Sequence, residues 1–175
     1  MFNFRNKVVR QEIPSDKATL KDIINNPNYD KYLELLKTDL SYEEKMFRIC
    51  NMFNMTRFKI LTDRGLFIYK DKYVKINLNK NNLTLDEIKC KSYLVNRHNL
   101  LLANILYPIE EVSEDGNIAI CPSVKGNDNI STEDYMAIQT VLVKNKINLV
   151  NAKSRSNYLV DNDKLYLLEY FDFSI

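Results

Sequence analysis

The stretch KDKYVKINLNKNNLTLDEIKCKSYL, Lys70 to Leu94, changes its period midway. Its first part alternates. Val74, Ile76 and Leu78 fall on one side and Tyr73, Lys75 and Asn77 on the other, the two-residue repeat of a strand. Its second part opens with Thr84 and Glu87 at capping-box spacing and predicts a helix to about Val95. A lysine therefore stands on a strand and a carboxylate on the helix that follows. Taken singly, both have ordinary explanations. Lys75 faces away from the apolar residues, where a half-covered strand shows its solvated side. Glu87 is accounted for by the cap and by Lys91 four residues on.

Upstream the pattern is helical. Leu20, Ile23 and Ile24 share a helical spacing, and after Pro27 the spacing resumes over Tyr29 to Leu40. Ser41 and Glu44 form a second capping box before YEEKMFRICNMF, whose Met46, Phe47, Cys50 and Phe53 make an apolar stripe. RFKILTD and GLFIYK then predict short strands around the turn Asp63-Arg64-Gly65. Downstream, LLLANILYPIEEV and NIAICPSV are expected to pair as strands across SEDGN, with Pro108 at an edge or bulge. A loop at Gly126 to Asn129 precedes a helix from Ser131 to Val143. NYLVD and KLYLLEYF close the chain as a hairpin through Asn162-Asp163. This order predicts an α+β fold: a small antiparallel sheet with packed helices over residues 57–175, preceded by a helical segment over 1–56, the two forming one compact unit.

Composition narrows the function. With 25 basic against 23 acidic side chains in 175 residues, the net charge of +2 argues against nucleic acid as partner. Lys144, Lys146, Lys153 and Arg155 form only a modest basic cluster. Cys50, Cys90 and Cys121 suit a reducing compartment. The N-terminal MFNFRNKVVRQEIP has no apolar signal core, and no run reaches the ~18 apolar residues of a membrane span. A cytoplasmic location is expected, in the host cytoplasm if the protein is viral. Bias toward Asn, Lys, Ile and Tyr points to a low-GC bacterium or one of its viruses. His98 is the only histidine, which removes most metal sites and histidine triads; it is expected just past a helix end. Glu110-Glu111 and Asp161/Asp163 make poor catalytic dyads, the first pair splitting across a strand and the second flanking a turn. Eleven tyrosines, against 8 phenylalanines and no tryptophan, suit an interface with another protein.

The V-K-I strand, the acid-bearing helix, the two strands ending in a linker and the late SNYLVDNDKLYLLEY hairpin together resemble the protein-kinase-like fold, most of all the small kinase-like proteins of bacteriophages. The resemblance spans residues 57–170. It implies that Lys75 grips the phosphates of ATP and that Glu87 positions it. It also implies that Ile118 to Lys125 leads to an adenine-contacting hinge and that Asn157 and Glu169 hold Mg²⁺. Departures accompany it. Gly65 stands alone where several glycines are usual, and Asn148 and Asn151 are the only residues near the place of the catalytic aspartate. Glu169 replaces an aspartate, and residues 126–175 are too few for a full substrate lobe. The expectation is a minimal N-lobe with a truncated C-lobe: a pseudokinase that acts through a host or viral protein partner, with ATP and Mg²⁺ as the cofactors implied. The alternative is a non-enzymatic viral protein, a host modulator or virion accessory, that uses no nucleotide.

Overall fold

The computed structural model describes residues 16–126 and 128–174; the expectations for residues 1–15 lie outside them. Three helices come first, α1 (Leu20–Ile24), α2 (Tyr29–Leu35) and α3 (Tyr42–Phe53). The strands β1 (Thr56–Ile60), β2 (Arg64–Tyr69) and β3 (Lys72–Asn77) follow, then α4 (Leu83–Asn96) and α5 (Leu100–Ile105). After β4 (Glu111–Val112), β5 (Ile118–Pro122) and α6 (Thr132–Lys144), the chain ends in β6 (Asn148–Leu149), two 3-10 turns, β7 (Tyr158–Asp161), β8 (Lys164–Leu167) and β9 (Phe173–Ser174). The first five strands form one antiparallel sheet in the order β1-β2-β3-β5-β4, as the α+β expectation requires.

That sheet is covered on both faces. Phe67, Val74, Ile76, Leu78, Ile118 and Ile120 bury one face against Ile23, Tyr32, Met46, Ile49 and Phe53 of the N-terminal helices. Leu66, Tyr73 and Cys121 bury the other against Cys90 and Leu94 of α4 and Leu159, Leu167 and Leu168 near the C-terminal hairpin. β3 is consequently buried along most of its length. The polar-face expectation for Lys75 fails for this reason: the face opposite Val74 meets α4 and the hairpin, not water.

Several local expectations shift. LLLANI is helix α5 rather than a strand, and β4 shrinks to two residues. A short unbroken apolar run fits a buried strand or a helix equally well, and here Leu102 and Ala103 turn inward while Leu100 and Leu101 stay exposed. Helix α2 stops at Leu35, short of Leu40. α3 spans YEEKMFRICNMF as expected, capped by Ser41 Oγ on the Glu44 amide. Its inner face, however, is Lys45, Met46, Ile49 and Phe53, and Phe47 is 64% exposed. The Lys45 ammonium donates to the Leu78 carbonyl at 2.9 Å, so its aliphatic stem joins the core. The hairpin β7–β8 turns through Asn162 and Asp163, both at positive φ (46° and 68°), as the tight two-residue turn requires. His98 lies past the end of α4 at φ 53°, the left-handed conformation common after a helix. No helix among the described residues is long and apolar enough to cross a membrane.

Candidate functional site

Strand alternation and one helical stripe create a buried charge cluster. In the β2–β3 ladder Leu66 pairs with Lys75 and Arg64 with Asn77, which puts Arg64, Leu66 and Lys75 on one face. α4 crosses that face with Thr84, Glu87, Cys90 and Leu94 turned inward. Thr84 is inside the helix, whose N-cap is Asn82, and its hydroxyl accepts from Arg64; the capping box does not form. Glu87 turns to the sheet rather than to Lys91. The segment after β8 delivers Glu169 from the far side.

The contacts are dense. The Arg64 guanidinium donates to both oxygens of Glu87, Nη1 to Oε2 at 2.8 Å and Nη2 to Oε1 at 2.6 Å. Its Nη2 also reaches Glu169 Oε1 at 3.2 Å. Lys75 Nζ donates to Glu87 at 3.0 and 3.2 Å and to the Leu168 carbonyl, and sits over the rings of Tyr107 and Tyr170. Glu169 accepts from the Thr62 amide and hydroxyl, and Glu87 Oε1 also accepts from the Tyr170 amide. Each residue of Leu168-Glu169-Tyr170 is thus held by the cluster. Arg64, Lys75 and Glu87 are 0% exposed and Glu169 1%.

Two cations and two carboxylates make the cluster formally neutral, which makes burial on this scale tolerable. Burial pushes the Glu87 carboxyl up, but the charges and hydrogen bonds of Lys75 and Arg64 outweigh it and hold the group below its ordinary value of 4.5. Burial works against the Arg64 cation too, and the carboxylates of Glu87 and Glu169 more than restore it. Burial raises the Cys90 and Cys121 thiols to about 12, so neither is a thiolate near neutrality.

The residues singled out by sequence divide accordingly. Lys75, Glu87 and Glu169 converge. Asn157 comes near through its backbone, its carbonyl accepting from the Leu168 amide, but its side-chain amide is turned to the Asn151 carbonyl at 3.0 Å. Asn151 Oδ1 accepts from the Asp172 amide, and exposed Asn148 lies on β6. Gly65 serves the opposite face: a Cβ there would stand 2.5 Å from the Phe67 ring, on the side covered by α3. The linker after β5 is stitched to β7. Asp161 accepts from the Lys125 and Gly126 amides at 3.0 Å each, and a Cβ on Gly126 would lie 2.7 Å from the Val160 carbonyl.

Arg64 and Thr62 are the members that sequence reasoning missed. A signal existed: the β2–β3 hairpin register, once anchored at its Lys70-Asp71 turn, places Arg64 on the face of Lys75. Its assignment to a turn hid this. Magnesium and a triphosphate do not fit this arrangement. Every carboxylate oxygen of Glu87 and Glu169 already accepts at least two hydrogen bonds from the chain. Leu66, Tyr73, Val124, Tyr158, Leu159 and Leu168 also belong to one buried apolar cluster. No family model matches the chain, and no curated protein or solved structure matches it.

Proposed function

We propose that this chain is a kinase-like scaffold, of phage or low-GC bacterial origin, that transfers no phosphate and acts in the cytoplasm through contact with a host or viral protein. The observation that carries this reading is the closure of the Lys75–Glu87 pair. A strand lysine and a helix glutamate meet as a phosphate grip would need, yet Arg64 and Glu169 complete them into a neutral, fully buried cluster. The lysine then secures the chain's own Leu168 carbonyl instead of a nucleotide.

Contact with a protein is supported by exposed apolar side chains on α5 and α6. Leu100, Leu101, Met136 and Val143 are 56% to 78% exposed on α5 and α6, and a cleft between these helices is lined by Leu101, Ile105, Ala137 and Val141. The apolar cleft with Leu101 exposed at its edge is the candidate interaction face. Incubation of the purified chain with ATP and Mg²⁺ tests the absence of chemistry. ATP should stay intact and the chain unlabelled, at the level of a Glu169→Gln control. Hydrolysis or labelling above that control would sink the scaffold reading.

A further inference from the structure

We infer that the pocket between Glu87 and Glu169 is a guanidinium-recognition site that the chain fills with its own Arg64. The inference rests on the scaffold reading and specifies what the site binds. The four hydrogens on the two terminal nitrogens of Arg64 each have an acceptor. Nη1 meets Glu87 Oε2 at 2.8 Å and Thr84 Oγ1 at 3.2 Å, and Nη2 meets Glu87 Oε1 at 2.6 Å and Glu169 Oε1 at 3.2 Å. Two parallel bonds to one carboxylate are the pairing that a planar fork makes and a spherical ion cannot.

The rest of the pocket favours the same ligand. Thr84 is a neutral hydroxyl acceptor within α4, and the Phe171 ring lies 5.8 Å from the guanidinium carbon. Lys75 already shares Glu87 at 3.0 Å. A divalent ion placed on that carboxylate would face an ammonium at close range. Removal of the Arg64 side chain would leave one buried negative charge in excess, together with a cavity of guanidinium shape.

Chemical rescue tests this on the full-length chain. Arg64→Ala should melt well below the wild type, and low-millimolar guanidinium should raise its Tm. The same additive should leave unchanged the wild type, whose pocket is filled, and Leu66→Ala, a neighbouring core truncation. It should also fail on Arg64→Ala/Glu169→Gln, which lacks the second carboxylate. Absence of rescue overturns the inference, as does Mn²⁺ matching or exceeding guanidinium, because the carboxylates would then form a metal site. If Arg64→Ala does not fold in buffer, recovery of native circular dichroism on adding guanidinium becomes the readout, and no recovery overturns it. Turnover of ATP by the wild type would instead defeat the scaffold reading and leave the rescue result standing.

Discussion

Glu87 shows how burial changes the meaning of a residue. Exposed at the start of a helix it would contribute a cap; buried between α4 and the sheet it is the acceptor shared by Lys75 and Arg64. Its carboxyl is held below 4.5 in the folded chain and returns to its ordinary value on unfolding. The stability it contributes is therefore fully present above that ordinary value and is lost as pH falls through the lower, folded one. Urea unfolding from pH 7 downward should show stability falling below about pH 4.5. Glu87→Gln should be less stable at pH 7, by about 3 kcal/mol or more because it leaves buried cations underpaired, and should lose part of that acid dependence. An unchanged acid profile in Glu87→Gln would assign the pH sensitivity to other carboxylates.

The elements divide by how local their signals are. α3 was legible to its ends because Ser41 caps it and its apolar spacing is long, and the β7–β8 hairpin because Asn162-Asp163 suits a tight turn. The failures came where tertiary packing decides. LLLANI has no period of its own, and Phe47 looks as apolar as Met46 although only one of them faces the sheet. That difference has a measurable consequence. Ile49→Ala, in the filled core, should cost about 2–5 kcal/mol, whereas Phe47→Ser should stay within roughly 0.5 kcal/mol of the parent; thermal melts compare the two directly. Gly126 is held against the Val160 carbonyl by the Asp161 carboxylate. Gly126→Ala should therefore destabilise by about 1–3 kcal/mol, the cost of overpacking, and a neutral melt would mean that the linker can move away from β7.

On the scale of the molecule, sequence conveyed the α+β class, while the meeting of Lys75, Glu87 and Glu169 was only what the kinase-like resemblance implied, and their enclosure was not legible. The face of β3 that carries Lys75 reads as polar because a strand reveals its alternation and not what lies above it. Only the assembled fold brings α4 and the C-terminal hairpin over that face while α1 to α3 cover the other. Arg64 escaped notice for the same reason, since its partners lie 23 and 105 residues away. The helical segment before β1 likewise gains its purpose from the whole, as the cover for one side of the sheet. In the proposed scaffold the lysine–glutamate pair secures the fold instead of binding nucleotide. Urea unfolding of the wild type and Lys75→Met, each with and without saturating ATP and Mg²⁺, tests it most directly. Lys75→Met should lose about 3 kcal/mol, and nucleotide should shift neither protein. A wild type stabilised by nucleotide, with Lys75→Met abolishing that response at little cost of its own, would contradict it.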